Sequence, residues 1–543
     1  MNRPSQWLLY HLVLLSAGII HLASFYFITR LFNGHLITHV ELPVTDASQT
    51  TQDDSRADEE VDFEHVGDHF TPGCIILTEL HGQQVAARFD KGTYLGEGRS
   101  KSYWILCSYM DWDGTRVVPV EKLASIPYYP GTKTIDKLEC CPLAFHPDSA
   151  AIEQQLRERG RRWEALRSHD RWHQAYRGDA RYSEDNTPPT GEHIARGRIM
   201  LDVALWQAGS PKDAVCIEQT LREYNSAPTP RCDCVLKGLQ GGNSAMSPLC
   251  DDCVMLTSPI VRGFSLDKMR WMHFFVHDVE EIRFDDRATK LLVLEEEKKK
   301  LIMTLAKKLI MTLAKRQVNY PKYRHVDGRG AVMLLSGGPG TGKTLTAEVV
   351  AEKLRVPLFK MNAGDLGSSP DAVEKRLNRY MGLVSRWRAI LVLKDCDVFL
   401  AKRTKHDLVR NHMVSIFLRM LKYNEGIVIL TTNCITDIDP AFRDRIRLIV
   451  EYPSLGVAAR RFVWDTILAR AGGFVGAKGL NVLSKIDLNG RQIDNMVRMA
   501  DLMAEQAGRY ITFEDVLRVL KMRGYTISKA HTISELVRLQ DLI

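Results

Sequence analysis

The pattern of apolar and polar positions divides the chain into unlike stretches. Residues 7–28, WLLYHLVLLSAGIIHLASFYFI, are almost continuously apolar and hold no Asp, Glu, Lys or Arg. As a helix they would span the roughly 30 Å hydrocarbon core of a bilayer. Residues 1–35 are therefore read as a candidate N-terminal membrane anchor, with an apolar leader or a buried helix as the alternative. A cleaved signal peptide is disfavoured, because no small-residue cleavage site follows cleanly. Residues 36–68 include TDASQTTQDDSRADEEVDFEHVGD, polar and acidic with few apolar anchors, which predicts a flexible linker. From Cys74 onward the runs CIILTEL, QVAARF, SYWILCSYM and TRVVPV alternate with Gly and Asp turns and predict antiparallel strands. Residues 151–176 change to a helical period with heavy basic charge, which reads as a solvated helix face. Together these predict an α+β accessory domain over 69–285.

A linker over 286–328 comes next. Its stretch LLVLEEEKKKLIMTLAKKLIMTLAKRQV predicts one long helix, in which KLIMTLAK occurs at 300–307 and again at 308–315. Eight residues are not a whole number of turns. The second copy adds about 12 Å of helix and rotates the downstream residues by roughly 80°. The two copies are therefore expected to face different neighbours, as a tandem insertion that the linker tolerates. Beyond the linker, the apolar runs AVMLLS, VPLFKM, AILVL and GIVILTT are separated by helical stretches, the pattern of a parallel sheet buried on both faces. Residues 454–525 turn helical, most clearly in NGRQIDNMVRMADLMAEQAG, and 526–543 form a tail.

Chemistry enters at GGPGTGKT. The run Gly337, Gly338, Pro339, Gly340, Thr341, Gly342, Lys343, Thr344, with Leu345 behind it, lies between a predicted strand and a predicted helix and meets the P-loop template. Glycines let backbone N–H groups curve round a phosphate, and the helix N-terminus adds its dipole. Lys343 reaches the outer phosphates as a point charge, and Thr344 offers its hydroxyl to Mg²⁺. ATP and Mg²⁺ are the expected cofactors. Asn433 closes the GIVILTTN run, where it can orient a water or touch a γ-phosphate. The stretch AILVLKDCDVFL ends in Lys394 and Asp395, with Asp397 two residues on. A lysine has the wrong sign for a metal ligand.

Residues 329–523 resemble an AAA+ ATPase core with its helical lid, through GGPGTGKT, ILVLKDCDVFL, ILTTN, FRDRI and NGRQI. Upstream, ECCPLAFHPD, LRERGRRWEAL, ARGRIMLD and VRGFSLDKMRWMHFFVHDVEEI resemble the region beside this core in a largely uncharacterised fungal group. The resemblance implies a P-loop αβα sandwich with a parallel sheet over 329–453 and a C-terminal helical lid over 454–525. It implies a homo- or hetero-oligomeric ring that couples conversion of ATP to ADP and phosphate to remodelling of a protein client. Carried onto this sequence, it makes Lys343, Asp395, Asn433 and Arg445 catalytic. Arg445 is the finger that reaches a neighbouring subunit's phosphate. Thr344 takes the magnesium side and Arg491 becomes the lid residue that senses phosphate; Asp395 falls at the general-base position, one methylene shorter than the family's Glu, with the magnesium side as its alternative role. Lys360 to Leu366 takes the place of a substrate-contacting pore loop. The family pattern has Asp–Glu where this chain has Lys394 and Asp395. Two outcomes are open: a remodelling ATPase, or a nucleotide-gated scaffold that binds ATP with little or no hydrolysis.

Composition narrows the remaining classes. The 543 residues are 45% hydrophobic, enough for several packed cores. A formal charge of +7 is small for this length and, with no nucleic-acid module in view, makes a nucleic-acid partner unlikely on these grounds. Eleven scattered cysteines do not describe a disulfide-framed secreted domain and point to a reducing, intracellular setting. Cys232, Cys234, Cys250 and Cys253 pair a CxC with a CxxC and offer four thiolates suited to zinc. The CxC half departs from the usual knuckle spacing, so free thiols are the expected state.

Overall fold

The computed structural model describes residues 59–168, 172–182, 194–209, 232, 234, 248–285, 292–319, 330–404, 406–433 and 438–525. The candidate anchor at 7–28 and the tail at 526–543 lie outside them. No helix among the described residues is long and apolar enough to cross a membrane.

The acidic stretch enters the fold earlier than its composition predicts. Glu60–Asp62 pairs antiparallel with Thr132–Thr134. The following 3-10 turn buries Phe63 and Val66, and Asp62 caps it by accepting from the backbone of His65. Three apolar residues, Val61, Phe63 and Val66, join the core around Phe70, Phe89 and Tyr103, so the linker expected to run to 68 ends before 60. Two antiparallel five-stranded sheets then make up the accessory domain. In the first, Ser102–Trp112 pairs along its whole length with Val117–Pro127. In the second, Ile260–Ser265 lies between Arg270–Phe275 and Ile194–Met200. Arg270–Phe275 also pairs with His173–Tyr182, which turns this sheet back on itself. The basic helix Ser149–Leu166 buries Leu156, Trp163 and Leu166. Much of its charge is matched locally: Arg157 pairs with Glu153, and Arg161 with Glu164 and Asp251.

The domain after the linker alternates strand and helix. Its strands are β1 (Ala331–Gly337), β2 (Leu358–Asn362), β3 (Ile390–Lys394), β4 (Ile427–Thr432) and β5 (Leu448–Tyr452). Its helices are α1 (Lys343–Leu354), α2 (Pro370–Trp387), α3 (Asp397–Leu400) and α4 (Leu408–Lys422). All pairings are parallel, in the order β2-β3-β4-β1-β5. The strands read as unbroken apolar runs because both faces are covered. Val332, Leu334, Leu391 and Leu393 point into the core shared with α2 and α4, whereas Met333, Leu335, Ile390 and Val392 point to the side of α1 and the linker helix. Four helices complete the domain: α5 (Val457–Arg470), α6 (Ala477–Lys485), α7 (Gly490–Gln506) and α8 (Phe513–Met522). They enclose a separate core around Trp464, Ile493 and Val516.

The linker helix runs unbroken from Glu296 to Asn319. Its repeat behaves as helical geometry requires. Ile302 of the first copy is fully buried under the sheet, while its counterpart Ile310 is only half-buried. Met303 is half-buried, and its counterpart Met311 is 51% exposed.

The accessory domain is docked on β2 and α2. Phe264 stacks on Phe359 with ring centroids 5.7 Å apart, and Trp271 meets Trp387 edge-on at 6.2 Å. Arg198 reaches across to Glu352 of α1. At the centre Asp202 is fully buried and accepts from Arg386 Nε at 2.5 Å, Arg386 Nη2 at 3.0 Å and Trp387 Nε1 at 2.9 Å. Asp202→Ala strips the acceptor from the buried Trp387 indole N–H and from the Arg386 guanidinium, whose side chain is 42% exposed, so a loss of about 1–3 kcal/mol is expected. Thermal unfolding of the full chain measures it. An unchanged midpoint would show that the seam is not a stabilising contact.

Candidate functional site

Backbone geometry builds the loop between β1 and α1. Gly337 sits at φ 143°, and a Cβ there would lie 2.3 Å from the carbonyl oxygen of Tyr452 on β5. Gly340 sits at φ 72°, where a Cβ would meet Asn489 Oδ1 at 2.5 Å. Only glycine fits either position. The crowding at Gly340 comes from the lid. Gly490 N donates to Gly340 O at 2.9 Å, so the N-terminus of α7 rests on the loop. Asn489 and Gln492 cap α7 reciprocally, which fixes the approach.

Lys343 Nζ is folded into this loop. It donates to Gly337 O at 2.6 Å, to Gly338 O at 2.7 Å and to Asn433 Oδ1 at 3.1 Å. Burial holds its ammonium below the usual lysine range. Asp395 and Asp397 oppose the shift, and Arg491 adds to it. The sequence-predicted lysine and the polar end of β4 are thus within hydrogen-bond reach of each other, although they come from positions 90 residues apart.

Around them lies a cavity of about 450 Å³. It is lined by Pro339 to Leu345, by Lys394, Asp395, Thr431 and Asn433 from the tips of β3 and β4, and by Arg491 and Asp494 from the lid. Leu292, Val293, Leu455, Phe462 and Ile467 add apolar surface to the lining. The cavity thus combines charged and polar groups with apolar side chains, the mixture common to small-molecule sites. Gly337 and Gly338, expected as direct ligands, do not line the cavity; their carbonyls hold Lys343 instead. Sequence reading missed Leu292 and Val293. Their only signal was an apolar pair ahead of the charged EEEKKK run, and it does not say that the chain returns to the cavity.

The tips of β3 and β4 are laced together. Cys396 N donates to Thr431 O at 2.9 Å, and Asp395 N donates to Thr431 Oγ1 at 3.3 Å. Asp397 Oδ1 accepts from Thr432 Oγ1 at 2.5 Å and from Asn433 N at 3.0 Å. Asp397 is thereby committed to holding Asn433 in place. Asp395 sits at φ 55°, an uncommon conformation for a non-glycine residue. Lys394 is the last residue of β3, half-buried and on the cavity wall. No carboxylate among the described residues forms an ion pair with it.

Arg445, expected to reach a neighbouring subunit's phosphate, does not line this cavity. Its guanidinium donates to Leu418 O at 3.2 Å and Ala441 O at 2.6 Å, which holds it beside α4. The Lys360–Leu366 segment does not project as a pore loop. Lys360 belongs to β2 and pairs with Glu348 of α1 at 3.1 Å. A 3-10 turn capped by Asn362 and Asp365 comes after it, and Leu366 is fully buried. Tertiary contacts claim the residues that would have to reach outward.

Order of strands, glycine-built loop and separate helical cap define the class as a P-loop αβα domain with a helical lid. Residues 333–454 match the model of the ATPase family associated with various cellular activities (AAA). Residues 51–147 match a domain of unknown function, DUF7025. The chain thus carries an AAA+ ATPase domain behind an N-terminal accessory domain. Relatives include an ATPase family AAA domain-containing protein FIGL1 of Arabidopsis thaliana, 26% identical over 187 residues, 32% of this chain and 27% of the relative. The meiotic spindle formation protein mei-1 of Caenorhabditis elegans is 24% identical over 223 residues, 35% of this chain and 47% of the relative. An ATP-dependent zinc metalloprotease YME1 homolog of the same organism is 29% identical over 202 residues, 34% of this chain and 27% of the relative. The matches span between about a quarter and a half of these relatives' length.

Proposed function

We propose that the cavity binds ATP with Mg²⁺ and that nucleotide state, more than rapid turnover, controls the arrangement of the lid and the docked accessory domain. The observation that carries this is the joining of Lys343 and Asn433 by a 3.1 Å hydrogen bond, on the lining of a cavity that the glycine loop and the lid share. In this reading Lys343 exchanges its carbonyl partners for the outer phosphates. The backbone N–H groups from Gly340 to Thr344 cradle the rest. Asn433, held by Asp397, orients a water, and Arg491 senses the terminal phosphate from α7. Thr344 offers a hydroxyl and Asp395 one carboxylate, a donor set that fits Mg²⁺ but is thin. When bound, Mg²⁺ neutralises charge on the phosphates. Lys394 places a cation where a second carboxylate would support that role, so hydrolysis is slow.

Arg445 serves an adjacent subunit of a homo- or hetero-oligomeric ring, and the client is a protein. The relatives' names span spindle formation and zinc-dependent proteolysis, too wide a range to carry a client over. The fungal-type resemblance of the upstream region and attachment to a membrane through residues 7–28 stay part of this reading. The second reading, a scaffold without turnover, gains from the locked turn at 363–366. The exposed residues of that connection, Gly364, Asp365, Ser368 and Ser369, give no apolar grip on a client.

Arg445→Ala tests the assembly. Single-turnover hydrolysis is expected to fall at least tenfold with ATP affinity unchanged, because a trans arginine acts on transition-state charge. Rates equal to wild type at all chain concentrations would overturn the finger role.

A further inference from the structure

The thiols of Cys232, Cys234, Cys250 and Cys253 converge in the accessory domain. Their four Sγ atoms all lie within 4.8 Å of one another. Cys232 Sγ is 3.0 Å from Cys234 Sγ and 3.3 Å from Cys250 Sγ, and Cys234 Sγ is 3.6 Å from Cys250 Sγ. A tetrahedral zinc thiolate with Zn–S bonds of about 2.3 Å has sulfur–sulfur edges of about 3.8 Å. The observed cluster is close to that size and needs only small outward shifts to admit an ion. We propose that these four cysteines form a structural Zn²⁺ site that pins the segment carrying Cys232 and Cys234 to the accessory core.

The two halves are supported differently. Cys250 precedes the helix Asp251–Met255, and Val254 N donates to Cys250 O at 2.9 Å. That helix is held by the rest of the domain. Arg161 bonds Leu249 O at 3.1 Å and Asp251 at 2.5 Å. Close approach is required at Gly160, where a Cβ would lie 2.0 Å from Val254 O. Cys253 is buried beside Leu156 and Trp163 in the same core. The CxxC half is therefore positioned without any metal, as a preorganised pair of ligands. The CxC half reaches this pair as an i, i+2 dipeptide, and its thiols make their hydrogen bonds, among the described residues, with the other cysteines.

Protonated, four such thiols are weak donors crowded against one another. Zn²⁺ binding replaces thiol protons, which leave to solvent, with four Zn–S bonds and no change of oxidation state. An all-sulfur set selects a soft ion, and four protein ligands leave no open coordination position, so the site is not catalytic. None of the four lines the nucleotide cavity. The departure from knuckle spacing that favoured free thiols concerns local geometry only. The tertiary fold brings the two halves together regardless.

The test is metal content of the full chain purified without chelator. About one zinc per chain is expected, with the four thiols unreactive toward a thiol reagent until the metal is stripped. Cys232→Ser with Cys234→Ser is expected to retain less than about a fifth of that zinc while still binding ATP. Should that variant not fold, Co²⁺ exchanged into the wild-type chain decides. Visible absorption of a tetrahedral cobalt thiolate supports the site, and an octahedral spectrum overturns it. A chain with no stoichiometric metal and four freely reactive thiols, or with a disulfide between any two of them, would also overturn it. Neither result depends on whether the nucleotide cavity hydrolyses ATP.

Discussion

Lys343→Ala is expected to weaken ATP binding at least about a hundredfold, because it removes a charge-assisted contact worth roughly 3 kcal/mol to the outer phosphates. The free protein holds this ammonium in readiness. Gly337 O, Gly338 O and Asn433 Oδ1 hold it in the free protein, and binding exchanges the carbonyl partners for phosphate oxygens. The fold itself should survive, since Lys343 opens α1 and its interior is fixed by Ala347, Val350 and Ala351 against the sheet. Titration calorimetry with ATP and Mg²⁺ measures the loss, and an unchanged unfolding midpoint checks the fold. Affinity within threefold of wild type would mean that the nucleotide, if bound at all, does not use this loop.

Lys394→Asp is expected to raise the rate of hydrolysis by roughly ten- to a hundredfold. The change reverses a unit charge at the end of β3, on the cavity wall beside Asp395. Two charges about 5 Å apart at an effective dielectric near 20 interact by roughly 3 kcal/mol. Only the part realised in the transition state accelerates the reaction, and about 1.4 kcal/mol of it gives a factor of ten. Lys394→Met separates the two contributions. It removes the cation without adding a ligand, so its rate should fall between the other two. β3 tolerates either change because Lys394 is half-buried and marks the strand end, while Ile390 to Leu393 carry its packing.

Much of the nucleotide domain is legible in the sequence because its signals are local. AVMLLSG, AILVL and GIVILTT are apolar up to Ser336, Thr431 and Thr432 near their ends, as strands buried on both faces require. GGPGTGKT needs glycine at fixed points for backbone reasons, and NGRQ writes the cap of α7 directly. The KLIMTLAK repeat is also local, and helix geometry alone separates the environments of Ile302 and Ile310. What the sequence hides is tertiary. Val61, Phe63 and Val66 look like strays in an acidic tether until the pairing with Thr132–Thr134 seats them. Lys360 and Leu366 look available until Glu348 and the core claim them. Leu292 and Val293 reach the nucleotide cavity only because the chain returns there ahead of the linker helix. The four cysteines meet across residues 235–249, a closure that no spacing rule contains. Arg445 is the reverse case: its motif is readable, but the fold ties its guanidinium to Leu418 O and Ala441 O, away from the cavity.

The central claim is that this chain holds ATP in a well-formed cavity while Lys394 restrains the chemistry. The most direct measurement is paired ATP binding and steady-state turnover of the full-length wild type beside Lys394→Asp, at saturating ATP and Mg²⁺. The account predicts comparable ATP affinity in both proteins, with turnover slow in the wild type and raised at least about tenfold in the variant. Robust wild-type turnover that Lys394→Asp leaves unchanged or lowers, with binding intact, would contradict it.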